Sequence, residues 1–291
     1  MTTLYLSPRY TEDSQKLWKA AIKLDWDVQR LSWSQMEEAF GPGVVAPIVY
    51  GETIFTSMAS ERLNLKLYDP PSTFLMDLQR KYELNLRLEK QLGPCPFNFR
   101  VPVDFLSRKV YNYRYYDPPE DGKIYLGRYS VYPVNPLFNP PDPPKDFLES
   151  PKFVKPVEKG LFVGKVYSDP IKQIQTLSHN TEVIVSEPVE WDIEFRAFIF
   201  DRKVRTISPY SRKGEVVEQA TAQEWEEAEA FANKVANLYK EPFVVDVGYM
   251  THPTSQKSGW AVVEANGAWG SGIYGCDPIE ALKVIREACN V

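Results

Sequence analysis

Asp246, Glu264 and Asn266 lie in two β-rich runs, FVVDVG and WAVVEANG. Positions i and i+2 of a strand share a face, so Glu264 and Asn266 project side by side. A neighbouring hairpin strand would set Asp246 beside them. Two carboxylates and an amide at strand ends suit a hard cation, and Mg²⁺ takes such oxygens while sharing itself with phosphates. The bland alternative is a set of solvated residues on the outer face of a hairpin, which an Asp among Phe and Val disfavours. The sequel GAWGSGIYG supplies Gly267, Gly270, Gly272 and Gly275, with Trp269 and Ser271 between them. Such a backbone can approach a ligand closely; an ordinary flexible loop would read the same way.

Further candidates precede these. FVKPVEKGLFVGKVY reads as strand, glycine-containing turn, strand, with Lys155 on the first strand and Lys165 on the second. Lysine inside a Phe/Val strand is seldom buried without an anionic partner, and phosphate is one. An outward-facing edge lysine is the plain alternative. Lys159–Gly164 then reads as a flap. In EFRAF, Glu194 and Arg196 share one strand face and Phe195 and Ala197 the other, which also suits a structural ion pair.

Composition narrows the field. The chain has 291 residues with a net charge of −5, enough for one large domain or two of common size. That charge gives no footprint for a nucleic-acid backbone. No run of about 18 apolar residues predicts a membrane span, and the start lacks the build of a signal peptide. Cys95, Cys276 and Cys289, with only His179 and His252, argue against a disulfide frame, a zinc site or a His-based triad. Reduced thiols point to the cytoplasm.

The elements that must position these residues follow from periodicity. Strands are expected at Thr3–Leu6, Asp27–Leu31, Val44–Tyr50 and Leu65–Tyr68, and helices at Glu12–Leu24, Ser34–Phe40 and Ile54–Leu63. This alternation predicts a small parallel α/β layer. Ser72–Leu92 reads as a connecting helix. The boundaries expected are an N-terminal α/β domain over 1–92 and a second domain over 93–291, with a Pro- and Tyr-rich insertion at about 98–150. The insertion's tyrosines and arginines could stack on a base or peptide; surface packing through the tyrosines is the reading preferred. Strands follow at Thr181–Glu187, Phe195–Phe200 and Val204–Ile207. A Thr221/Glu224 capping box opens a helix to Tyr239, and Asp277 with Pro278 opens the last helix.

The order of lysine strand, glycine flap, acidic hinge, Glu/Arg strand, Asp strand and Glu-x-Asn strand over roughly 150–280 resembles the ATP-grasp superfamily. Within it, the chain is similar to the clade named for one arginine and two lysines. The resemblance implies ATP held between two α+β subdomains, behind a small α/β pre-ATP-grasp domain. It implies that Lys155 contacts phosphates, with Lys159 or Lys165 as the second lysine. It further implies that Glu187 and the backbone of Pro188, Val189 and Glu190 line the adenine, that Glu194 holds the ribose, and that Arg196 meets phosphate oxygens. Asp246, Glu264 and Asn266 match the Mg²⁺ ligands.

The chemistry implied is ATP- and Mg²⁺-dependent ligation of a carboxylate to an amine through an acyl phosphate, with a peptide or protein as the substrate by family analogy. Arg205 or Arg212, in the expected turn VRTISPYSRKGE, would stabilise an oxyanion; a solvated basic loop is the plain alternative. The loop Gly267–Gly272 would meet the acceptor carboxylate. The rivals are a kinase-like phosphotransferase, which would leave a stable phospho-product, and a nucleotide-binding module without turnover.

Overall fold

In a computed structural model the structure describes residues 2–32, 34–35, 39, 46–71, 74, 78, 110–115, 126–128, 150–156, 161–170, 182–251, 253 and 258–290. The chain divides into two compact units that are discontinuous in sequence. The first is Met1–Pro70, Trp191–Tyr249 and Val262–Val291; the second is Pro71–Glu190 and Met250–Ala261.

The first unit opens on the expected layer. Strands β1 (Thr3–Leu6), β2 (Asp27–Arg30) and β3 (Pro47–Tyr50) form a parallel sheet in the order β2-β1-β3. All four residues of central β1 are buried, as expected of a parallel strand covered on both faces. Helix α1 (Glu12–Lys23) starts at Thr11, whose side chain accepts from the Ser14 N–H while the Ser14 hydroxyl accepts from the Thr11 N–H, a reciprocal cap. Helix α2 (Thr53–Leu63) ends on Asn64 in the left-handed region, a conformation Asn tolerates.

Leu65–Tyr68 corrects an expectation, because it is not a strand. Its backbone is engaged elsewhere: the Leu65 N–H donates to Ser60 at the end of α2, and the Tyr68 N–H donates to Ala288. Extended apolar residues become a strand only when a ladder accepts them. The expected helix Ser34–Phe40 lies mostly outside the described residues, as does Ser72–Leu92 apart from Phe74 and Leu78, both helical and buried.

A second sheet has the order β11-β10-β9-β12-β13. Its strands are β9 (Glu190–Phe200), β10 (Lys203–Arg212), β11 (Glu215–Val216), β12 (Phe243–Thr251) and β13 (Ser258–Asn266). The β9–β10 hairpin turns on Asp201 and Arg202, both at positive φ, the backbone a two-residue hairpin turn requires. Both strands outrun the sequence expectation. Pro209 does not end β10, because it lies where the pairing with β9 shifts register, a place in a sheet that accepts proline. Arg205 and Arg212 are therefore on a strand and not in a turn.

Helix α3 (Ala222–Ala236) carries the expected capping box and ends before Tyr239. Helix α4 (Pro278–Ala288) is capped by Asp277. One core joins Leu4, Leu6 and Ile48 of the parallel layer, Leu17 and Ala21 of α1, Phe198 and Val244 of the second sheet, and Leu282 and Ile285 of α4.

The second unit contains a sheet of order β5-β4-β8-β6-β7: β4 (Val110–Tyr115), β5 (Leu126–Arg128), β6 (Lys152–Pro156), β7 (Lys165–Tyr167) and β8 (Glu182–Ser186). The tyrosine-rich run is thus an inner strand, paired to β5 on one side and β8 on the other. Among the described residues, no helix is long and apolar enough to cross a membrane.

Candidate active site

Arg196 is the centre of the site. It lies on β9, and the neighbouring strand β12 carries Asp246. Val244, Val245 and Val247 are all fully buried around Asp246, which is itself 1% exposed. Such a strand takes a carboxylate inside only if its charge is answered. The answer is a two-point pair: Arg196 Nε donates to Asp246 Oδ1 at 2.8 Å and Nη2 to Oδ2 at 2.6 Å. The parallel fork fixes both planes.

The guanidinium is held from other sides too. Its Nη1 donates to the Gly272 carbonyl at 3.2 Å. Its Cζ lies 5.3 Å from the Tyr210 ring centre and 5.0 Å from that of Tyr274, within cation–π range. The two rings stack on each other at 5.0 Å, and Tyr210 Oη donates to Glu194 Oε2 at 2.8 Å. Glu194 and Arg196 share a face of β9, as the spacing required, yet each has its own partner and they do not form the ion pair that spacing allowed.

Electrostatics separates the groups. Burial pushes the Asp246 carboxyl up, to about 6; Arg196 opposes this, and the nearby carboxylates Glu264 and Glu194 add to it. The Tyr210 hydroxyl is raised by burial, then by Asp246 and Glu194. On β13, Asn266 Nδ2 donates to Glu264 Oε1 at 3.0 Å, so the side-by-side placement holds.

Asp246 is the carboxylate on the guanidinium, and Glu264 and Glu194 lie near enough to Asp246 to act on its charge. Among the described residues no cluster of three or more His, Cys, Asp or Glu is placed to bind a metal. Glu264 and Asn266, side by side on β13, supply a carboxylate and an amide oxygen, the donor types a hard cation takes.

The glycine loop is more ordered than its composition suggests. Ala268–Gly270 is a turn of 3-10 helix. Trp269 Nε1 donates to the Tyr68 carbonyl, Ser271 Oγ to the Gly267 carbonyl, and Tyr50 Oη to the Ser271 carbonyl. A side chain at Gly267 would strike the Trp269 ring, and one at Gly272 would press on Asp13 Oδ2 at 3.1 Å. The N–H groups of Gly270, Ser271 and Ile273 are already engaged, the last by Asp13 Oδ2 at 3.0 Å. Lys16 Nζ donates to the Tyr274 carbonyl. Tyr274 itself sits at φ 48°, a region costly for a residue with a Cβ.

Tyr210, Tyr274, Asp13 and Lys16 were not singled out in the sequence. Asp13 reads there as one of two acids in a helix's first turn, where the helix dipole alone favours acids. Tyr274 lies in the quoted GAWGSGIYG stretch, but neither tyrosine's type marks it as a partner of Arg196.

Arg205 and Arg212 do not join Arg196. Arg205 Nε donates to the Phe200 carbonyl and its guanidinium lies over the Phe200 ring. Arg212 forks onto both oxygens of Glu224, the capping residue of α3. In the second unit, Lys155 is half-buried on β6, opposite Ile184 of β8. A Cβ on Gly164 would come within 2.9 Å of the Lys155 Cβ, so glycine allows that close approach. Lys165 is exposed on β7 with Nζ 5.2 Å from the Tyr167 ring centre. Lys159 lies outside the described residues. Glu187, Pro188 and Val189 are half-buried between β8 and β9, and Glu190 begins β9.

Comparison with known proteins finds a family for part of the chain. Residues 145–284 match the ATP-grasp domain, family 2 of the clade named for one arginine and two lysines. No match was found among curated proteins. Similar solved structures include D-alanine–D-alanine ligase from Bacillus anthracis complexed with ATP, 15% identical over 99% of this chain and 96% of that one, with a TM-score of 0.44. The RimK domain protein ATP-grasp from Sphaerobacter thermophilus is 12% identical over 99% of each chain, TM-score 0.47. Macrocyclase MdnC from Microcystis aeruginosa, bound with precursor peptide MdnA, is 11% identical over 96% of this chain and 92% of that one, TM-score 0.41. Residues 145–284, with the site strands β9, β12 and β13 inside them, are by this match an ATP-grasp domain.

Proposed function

We propose that the protein is an ATP- and Mg²⁺-dependent carboxylate–amine ligase of the cytoplasm whose substrate is a peptide or protein. The observation that carries this reading is the buried Arg196–Asp246 fork with Glu194, Glu264 and Asn266 beside it, inside the segment that matches the family. A guanidinium fixed by one carboxylate, with two more carboxylates acting on that partner, suits a metal–phosphate ligand, since its charges are placed before the ligand arrives.

A substrate carboxylate oxygen attacks the γ-phosphorus of ATP, the bond to the β-phosphate oxygen breaks, and ADP leaves. An amine then attacks the acyl carbon, loses a proton, and expels phosphate. The products are an amide, ADP and phosphate. Asp246, Glu264 and Asn266 would hold Mg²⁺, which when bound offsets phosphate charge. Arg196 steadies Asp246 and presents a cation to phosphate oxygens. Lys155, with Lys165 or Lys159, would meet phosphates. Glu187 and the backbone of Pro188–Glu190 would take the adenine, and Glu194 the ribose, with Tyr210 orienting its carboxylate. Arg205 and Arg212 are assigned to holding β10, its hairpin and the α3 cap.

The test is calorimetric titration with a non-hydrolysable ATP analogue, with and without Mg²⁺, followed by product analysis on pools of acids and amines. Mg²⁺-dependent binding, and release of ADP and phosphate together with an amide, support the ligase. A stable phospho-product would make it a kinase. Tight binding with no product would leave a nucleotide-sensing module, and no binding at all would remove the ATP site.

A further inference from the structure

A second face of α1 is built for contact. Gln15, Trp18, Lys19 and Ile22 recur at i, i+3, i+4 and i+7, so they form one stripe. Leu17, Ala20 and Ala21 already fill the core side of the helix. Trp18 is nevertheless 36% exposed and Ile22 56%. Beside the stripe stand Tyr10, from the loop after β1, and Arg30, the last residue of β2. Tyr10, Gln15, Trp18, Lys19 and Arg30 line an open cavity of about 370 Å³.

Its charges are one-sided. Arg30 Nη1 donates to the carbonyls of Ser7 and Arg9 at 2.9 and 2.8 Å, and Nη2 donates to Ser14 Oγ at 3.0 Å. Its guanidinium lies 4.8 Å from the centre of the Tyr10 ring, and that ring is 69% exposed. Neutral acceptors thus hold the cation in place without cancelling it. Among the described residues, no carboxylate lines the cavity. In a chain of net charge −5 this is a local positive, aromatic patch.

The chemistry selects the occupant. Two rings suit an aromatic or long apolar side chain, and Lys19 with Arg30 suits anions beside it. Carboxylate fits better than phosphate. The α1 N-terminus offers no open cradle of N–H groups, since Thr11 caps it and Glu12 and Asp13 fill its first turn. The volume is at the low end for ligand pockets and takes one or two side chains. The occupant must therefore continue over the open surface, as a peptide does.

We propose that this cavity docks an acidic, aromatic-containing peptide segment of a partner protein, independently of the nucleotide site. The probe is a fluorescein-labelled peptide with one phenylalanine flanked by four acidic residues. Its controls are the same peptide with lysines for the acids and with serine for the phenylalanine. Anisotropy should show saturable binding of the acidic peptide alone, weakened by salt. Trp18→Ala should weaken it at least tenfold, as loss of a central aromatic anchor does. Lys19→Glu should also weaken it and shift preference toward the lysine peptide. Lys19 is exposed, so Lys19→Glu should leave the melting temperature unchanged, and ATP-analogue binding should stay unchanged in both variants. Absence of binding, equal binding of the acidic and basic peptides, or undiminished binding in both variants would overturn the proposal.

Discussion

Asp246 carries two duties that substitution can separate. It neutralises a buried guanidinium, and by the proposed reading it also binds metal. Asp246→Asn keeps the shape but leaves Arg196 facing a neutral amide, so it should cost roughly 3–5 kcal/mol of stability, measured by denaturant unfolding. Glu264→Gln, at a half-buried position, should leave the unfolding midpoint unchanged while abolishing Mg²⁺-dependent turnover. Equal loss of stability in both variants would make Glu264 a structural residue. Asp13 is a positioning residue by the same reasoning, because its carboxylate accepts from the Ile273 N–H of the loop. Asp13→Ala frees the Ile273 N–H and should lower turnover about 100-fold, as a misplacement of about 1 Å does. Asp13→Asn should restore it, since an amide oxygen still accepts that bond. Failure of the rescue would refute the role.

Helix α3 shows how an element is tied to the sheet that bears the site. Glu224 receives both Arg212 nitrogens and the Thr221 N–H, and chiefly through Arg212 its carboxyl is pulled down to about 2. A lowered carboxyl stabilises the fold above its ordinary value of 4.5 and loses that contribution as pH falls through about 2. The pair is well solvated, so after screening about 1 kcal/mol at most is at stake. Glu224→Gln should therefore lower the melting temperature at pH 7 and converge with the parent near pH 2. A difference that persists undiminished at pH 2 would assign the effect to the cap alone. The β10 strand makes a related point. Proline at 209 reads in sequence as an end, yet a register shift absorbs it.

At the scale of the molecule, the first unit is one core assembled from distant segments. Cys289, just after α4, donates its thiol to the Val49 carbonyl of β3, and burial pushes that thiol up to about 12. Cys276 is likewise raised by burial, to about 11. Both should resist thiol reagents in the native protein at pH 7. Leu17→Ala, in α1, should cost about 2–5 kcal/mol and speed labelling of Cys289, since the two residues lie in the same core. If Cys289 stays protected while β1 and α1 open, the core is not shared.

The sequence by itself determined the local elements and the residue types of the chemistry. Apolar periodicity located β1, α1, α2, α3 and α4, because caps and stripes are written in neighbouring residues. The i, i+2 spacing set Glu264 beside Asn266, and the ordered motifs pointed to the superfamily that the match over residues 145–284 shows. Only the tertiary structure decided the partners. Arg196 meets Asp246 across 50 positions and the glycine loop across 76; Asp13 reaches Ile273 across 260. Long-range pairs of this kind leave no local pattern, since any strand presents its side chains in the same way whatever stands opposite. The same cause hid the place of Val110–Tyr115 inside a sheet and the failure of Leu65–Tyr68 to join one. Pairing is a property of two segments, and one segment read alone does not contain it.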